Sequence, residues 1–215
     1  LGSGSRGNSV LVEAGDTTIL VDAGFSGIEL ERRLERLGVA PESVAAVVVT
    51  HEHRDHTGGM GVLARRWGWP LHLTRATAHA CETLLRGDET LVTHARDASF
   101  EIGDVRLRLV PTCHDAGDPV AVHLTCARSG LTAGVATDIG RATAAVRAGF
   151  RDCHFLVLEA NHDEVRLREA PYPWSVKQRI GGSRGHLSNR LAAELATELH
   201  HPRLGGLLLA HLSQE

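Results

Sequence analysis

Thr50-His51-Glu52-His53-Arg54-Asp55-His56, with the apolar run Ala45 to Val49 before it and Gly58-Gly59 after it, is the most informative stretch of the chain. A continuous apolar run of this length is typical of a buried strand, so the histidines leave the sheet edge on a loop held rigidly from behind. His51 and His53 are two residues apart, point the same way in extended backbone, and can grip one metal ion. Asp55 and His56 follow after the chain turns and can grip a second ion beside the first. A solvated polar loop would not need four potential ligands in six residues.

Working outward, three further residues stand where strands are expected to end. His114 follows a strand closing near Val110, Asp138 one closing near Thr137, and His211 one closing at Ala210. Singly, each reads as an ordinary polar strand end. Together they complete a seven-ligand site, in which Asp138 can bridge two ions through its two oxygens.

The elements follow the same logic. Ser9 to Ala14 and Thr17 to Asp22 flank Gly15-Asp16, a two-residue hairpin signal. Ile28 to Leu37 has helix-like spacing closed by Gly38, and Gly58 to Trp67 predicts a short helix. Leu71 to Leu73 predicts a strand, and residues 74 to 98 an irregular, mostly helical stretch. Val105 to Leu109, Ala121 to Ala127 and Leu131 to Thr137 form an antiparallel meander. Arg141 to Ala148 predicts a helix, Phe155 to Glu159 a buried strand, Ser188 to His200 a helix capped by Ser188, and Gly206 to Ala210 a last strand. Two β-rich halves, each with helices, imply two stacked sheets between helical layers.

The bulk properties narrow the class. A 215-residue chain with 42% hydrophobic residues can bury one substantial core, so residues 1–215 are expected to form a single domain. Mean hydropathy is −0.10 and no apolar run is long enough to span a bilayer, which argues against a membrane partner. No secretory leader is evident, although the sequence begins at Leu1. Cys81, Cys113, Cys126 and Cys153 show no paired spacing and read as reduced thiols in a cytoplasm. A net charge of −3 excludes a uniformly basic surface but permits a local cationic strip.

One such strip runs from Val165 to Arg190, where Arg166, Arg168, Lys177, Arg179, Arg184 and Arg190 face a single acid, Glu169. Tyr172 and Trp174 are interleaved, and aromatic faces among cations suit the stacking of single-stranded bases. An amphipathic surface helix with an inward aromatic fits the same pattern equally well. His72, His79, His94, His123, His154, His200 and His201 lack ligand-like spacing and read as surface or packing residues.

HEHRDH with the later His, Asp and His resembles the metallo-β-lactamase fold superfamily, which implies a four-layered αββα sandwich. The resemblance implies that His51, His53 and His114 hold one metal, that Asp55, His56 and His211 hold the other, and that Asp138 binds both. Asp138 stands where class B1 β-lactamases carry cysteine, which favours other hydrolases of the superfamily. GSGSRGNS (residues 2 to 9), CHDAGDPVA, GVATDIG, NHD (161 to 163), PYPWSVKQRI and RGHLSN resemble the YycJ/WalJ-type exonuclease subfamily across nearly the whole chain. Against that pattern the chain looks trimmed at both ends.

The expected function is therefore that of a two-metal hydrolase, with zinc or manganese as the ions. The favoured form is a 5′-to-3′ exonuclease on DNA in which a hydroxide bridging the ions attacks a phosphodiester. Asp55, Asp138 and His186 are the expected catalytic residues, His186 contacting phosphate or protonating the leaving oxygen. His162 and Asp163 are candidates for orienting a metal ligand, with a purely structural role equally open. Ser3, Ser5 and Asn8 form either a phosphate-cradling loop or a simple turn. Two alternatives stay open: hydrolysis of a small ester, thioester or lactone, and a non-catalytic metal-binding regulatory protein. No obligate protein partner is inferred.

Overall fold

The computed structural model describes residues 1–213. Its first hairpin follows from the Gly15-Asp16 turn: β1 (Val10–Ala14) and β2 (Thr17–Val21) pair antiparallel, with Ala14 opposite Thr17. Gly15 takes φ +61°, which the turn requires and glycine adopts freely. After α1 (Gly27–Arg36), β3 (Val44–Val48) lies parallel to β2 and leads into the histidine loop. Two short helices, α2 (Arg54–Thr57) and α3 (Met60–Trp67), carry the chain to β4 (Leu71–Thr74), which completes the parallel core of this sheet.

The stretch from 74 to 98 departs from the expected irregular helix. Only α4 (Arg75–Ala80) and a single 3-10 turn at Glu82–Leu84 are helical, and β5 (Leu91–His94) adds an edge strand parallel to β4. Its four residues alternate between exposed and half-buried, so the strand is too short and too little buried to give an apolar signal. β6 (Ser99–Ile102), equally short and buried only at Ile102, pairs with β7 (Val105–Pro111).

The second sheet continues with β8 (Val120–Cys126) and β9 (Thr132–Ala136), then α5 (Ala144–Phe150) and β10 (Phe155–Glu159). The segment 165 to 190 resolves into two short helices, α6 (Glu164–Glu169) and α7 (Trp174–Gly181), before α8 (Asn189–Leu199) and β11 (Gly206–Ala210). Ser188 caps α8 as expected, accepting from Leu191 N. Strand order is β1-β2-β3-β4-β5 in one sheet and β11-β10-β9-β8-β7-β6 in the other.

Alternation along the strands makes the four layers. Leu20 and Val47 turn outward to meet Leu30, Leu34, Met60 and Leu63 of α1 and α3. Their neighbours Ile19, Val21, Ala46 and Val48 turn inward against Leu107, Leu109, Val122 and Leu124 of the second sheet. That sheet buries Ala136, Leu156 and Leu158 on its far face against Val146, Phe150, Ala192 and Leu195 of α5 and α8. The αββα sandwich is thus the arrangement in which every apolar face finds a partner. Among the described residues no helix is long and apolar enough to cross a membrane, and all four cysteines are free.

Candidate metal centre

The ends of β2, β3, β7, β9, β10 and β11 deliver polar residues to one edge of the sandwich. Asp22, Asp138 and His211 make this exit with left-handed backbone, at φ 64°, 54° and 55°. Non-glycine residues rarely adopt it, and the sharp turn aims each side chain back across the sheet edge. Beside Asp22, Gly24 packs so closely on the histidine loop that a Cβ there would lie 1.6 Å from the carbonyl oxygen of Asp55.

All seven expected ligands converge at this edge. His51, His53 and His114 present nitrogens close enough to share one ion, and His51, His56 and Asp138 form an overlapping group. Nε2 of His56 lies 3.0 Å from Asp138 Oδ2 and 3.6 Å from Asp55 Oδ2. His211 brings Nδ1 to 3.1 Å from Asp138 Oδ2 and Nε2 to 3.9 Å from Asp55 Oδ2.

Three of the histidines are oriented by protein contacts at Nδ1. His56 Nδ1 is 2.7 Å from Asp22 Oδ2, His114 Nδ1 is 2.9 Å from the Gly185 carbonyl, and His51 Nδ1 is 3.0 Å from Thr50 Oγ1. This leaves Nε2 of each ring for the cluster, the usual way a protein fixes the tautomer of a metal ligand. Asp22 also accepts from Thr50 N at 2.8 Å and from Thr50 Oγ1 at 2.9 Å, tying loop to strand.

The electrostatics are those of a cation site. His51 Nε2, Asp138 Oδ2, His211 Nδ1 and Asp115 Oδ1 are buried without a hydrogen-bond partner among the described residues. Unpartnered buried donors and acceptors are costly unless something else satisfies them, and a nitrogen and oxygen set of this kind fits divalent metal ions. Burial opposes charge on His56 and His211, yet the Asp22 and Asp138 carboxylates hold His56 well above the ordinary imidazole value, and Asp138 and Glu159 raise His211 to about 10. Burial pushes His51 the other way, well below that value. Asp138 is drawn down, against its burial, by the charges on His56 and His211.

His186 also reaches the centre, 3.3 Å from Asp138 Oδ1 and 2.8 Å from Glu159 Oε1 through its Nδ1. Burial opposes its charge, and hydrogen bonds to Asp138 and Glu159 outweigh it, raising the ring to about 9. Among the described residues, no hydrogen bond or ion pair joins the His162 or Asp163 side chain to an expected ligand. His162 Nδ1 lies 3.2 Å from Asn161 Oδ1, and Asp163 caps α6 by accepting from Val165 N and Arg166 N. Within NHD it is Asn161 that touches the centre, donating from Nδ2 to the His211 carbonyl at 2.9 Å.

Several residues of the centre carry no obvious sequence signal. Glu159 is fully buried and accepts from Ile139 N and Leu187 N, both at 3.0 Å, as well as holding His186. Asp115 places Oδ1 3.2 Å from His114 Nε2 and holds Arg179 through Oδ2 at 2.6 Å. Asn8 joins the N-terminal loop to the cluster, its Nδ2 3.1 Å from Asp55 Oδ2 and 3.0 Å from His56 Nε2. Asp22 and Glu159 share the strand-then-polar pattern that marks His51, and that pattern alone points to them.

The cationic strip is partly neutralised. Arg190 pairs with Glu164 and Glu194, and Arg179 with Asp115. Trp174 remains 68% exposed beside Arg168 and Lys177. His72 and His94 stack with Phe100, His79 pairs with Glu82, and His201 contacts the Cys153 carbonyl, so none of these joins the centre.

The family model of the metallo-beta-lactamase superfamily matches residues 2–132. The exodeoxyribonuclease YycJ of Bacillus anthracis is 33% identical over 218 residues, an alignment covering 99% of this chain and 81% of that protein. The exodeoxyribonuclease WalJ of Streptococcus pneumoniae is 34% identical, covering 100% and 81%. Among solved structures, the metallo-beta-lactamase fold protein YhfI from Bacillus subtilis superposes with a TM-score of 0.73 at 20% identity, over all of this chain and 85% of the other, a likeness of fold. With its sandwich, its strand-end histidines and carboxylates and relatives aligned along nearly all of it, the chain belongs to the metallo-beta-lactamase superfamily, as a metal-dependent hydrolase of the YycJ/WalJ type.

Proposed function

We propose that the protein is a two-metal phosphodiesterase that acts as a 5′-to-3′ exonuclease on DNA. The observation that carries this reading is the likeness over nearly the whole chain to two proteins named exodeoxyribonucleases. His51, His53 and His114 would hold one ion, and Asp55, His56 and His211 the other, with Asp138 between them. A pair of divalent ions, zinc or manganese, supplies a water acidic enough to attack at neutral pH and positive charge for the oxygens on phosphorus.

The chain's own groups supply the rest. Asp55 and Asp138 orient the attacking water, and His186, held protonated by Glu159 and Asp138, gives its proton to the departing O3′ as the P–O3′ bond breaks. His186 keeps 22% side-chain exposure, so a strand end can reach it.

Charged side chains beside the centre favour this over the thioester reading. The cavity on one side is lined by Ser5, Arg6, Arg54 and Asp55, and the one beside His186 by Arg141, Ser183 and Glu164 together with Leu167 and Leu191. A small acyl substrate calls for largely apolar walls. The test offers the zinc- or manganese-loaded protein single- and double-stranded DNA, RNA and a thioester in parallel. The expected result is release of mononucleotides from 5′ ends of DNA, lost in His56→Ala. Preference for the thioester, or undiminished turnover by a folded, metal-loaded His56→Ala protein, would overturn it.

A further inference from the structure

The loop between β7 and β8 brings two polar residues to the centre side by side, His114 and Asp115. It is fixed at three points: Thr112 N donates to the Pro119 carbonyl at 3.0 Å, Gly117 N to Glu52 Oε1 at 2.6 Å, and His114 Nδ1 to the Gly185 carbonyl at 2.9 Å. That carbonyl takes the Nδ1 proton, so a neutral His114 turns a lone pair at Nε2 towards the centre.

Other ligand-type atoms crowd this nitrogen. His53 Nδ1 and Asp115 Oδ1 each lie 3.2 Å from it, and Asp138 Oδ1 lies 3.6 Å away. Ionised carboxylate oxygens only accept, so no hydrogen bond can join them to a lone pair, and Asp115 Oδ1 is buried without a hydrogen-bond partner among the described residues. Ligand atoms each about 2.0–2.2 Å from one ion stand about 3 Å apart, which is the spacing found here. The second oxygen of Asp115 is differently placed: Oδ2 accepts from Arg179 Nε at 2.6 Å, and the Arg179 side chain is 69% exposed. A pair with so exposed an arginine contributes little and gives no reason for Oδ1 to turn inward, unpaired, beside two histidines.

We infer that Asp115 is an eighth ligand of the centre, binding through Oδ1 the ion held by His51, His53 and His114 while Arg179 holds Oδ2. The inference rests on the two-metal reading and extends it. One carboxylate then has two cationic claimants, and helix α7, which carries Arg179, is tied to the ion through a single side chain.

The experiment titrates the metal-stripped protein with cobalt(II), alone and against a competing chelator, in wild type, Asp115→Ala, Asp115→Asn and Arg179→Ala. Asp115→Ala should weaken one of two bound ions by more than the about 10- to 100-fold that loss of a supporting contact costs, and the other far less. Asp115→Asn keeps the shape and a weaker oxygen donor, so its affinity should fall between. Cobalt absorbs visible light more strongly as its coordination number drops, so the band should strengthen in Asp115→Ala. Arg179→Ala leaves Oδ1 in place, and both readings should stay near wild type. Unchanged affinity and spectrum in Asp115→Ala overturn the proposal. So does an equal loss in Arg179→Ala, which would mean that Asp115 acts only by anchoring α7. If Asp115→Ala does not fold, Asp115→Asn decides, and wild-type affinity there is fatal. A wild type that takes up no cobalt sinks the two-metal reading as well, whereas two ions bound with Asp115 indifferent sink this inference alone.

Discussion

Asp22 and Glu159 occupy corresponding places in the two halves of the molecule. Each ends an interior strand, each is buried, each accepts backbone N–H groups, and each holds a histidine by Nδ1. They differ in what they hold. Asp22 binds Thr50 and His56, which come from one short loop, and His56 is fully enclosed. Glu159 gathers Ile139, Leu187 and His186 from distant parts of the chain, and leaves His186 open to solvent. On the function proposed above, Asp22 supports a metal ligand and Glu159 supports the proton donor.

The comparison breaks most readily at Asp22. Asp22→Asn should weaken metal affinity by about 10- to 100-fold, the usual effect of disturbing a ligand's supporting contact, without altering the shape of the pH–rate profile. Metal titration against a competing chelator measures it; affinity unchanged would dissolve the distinction. Glu159→Gln should act on the proton instead. Glu159 helps raise His186 to about 9, so its neutralisation moves the ring back towards the ordinary value and the group loses its proton at lower pH. The alkaline limb of kcat/KM should therefore shift down by about one pH unit, with metal affinity less affected than in Asp22→Asn. An unmoved limb would detach Glu159 from the chemistry.

The smallest effect is expected away from the centre. Arg190 lies on an exposed face and is paired with two glutamates. Arg190→Ala should change affinity for single-stranded DNA by less than about twofold. A larger loss, seen by anisotropy, would restore Arg190 to the nucleic-acid track.

The same contrast explains what could be read from the sequence. The four expected ligands of HEHRDH are neighbours in the chain, and the Gly15-Asp16 turn and the apolar run before Thr50 fix their place, so this part of the candidate site was legible directly. His114, Asp138 and His211 were legible only as strand ends that together completed a set. Asp22 and Glu159 share that position but look like ordinary polar residues in VDAG and LEAN, because their roles depend on contacts 20 or more residues away. The strip from 165 to 190 carries less free charge than its own residues suggest: Glu164, Glu194 and Asp115 lie outside the window, and folding brings them to Arg190 and Arg179. His162 attracted attention as a histidine, whereas the amide beside it makes the contact with His211.

The left-handed backbone at Asp22, Asp138 and His211 has a consequence for engineering. Glycine threads such turns without strain, so relief of backbone strain alone would favour it at all three positions. Each such gain would remove a carboxylate or imidazole from the centre. Robustness and chemistry therefore compete for the same three φ angles, and stabilised versions of this protein will have to draw their gains from the helical layers instead.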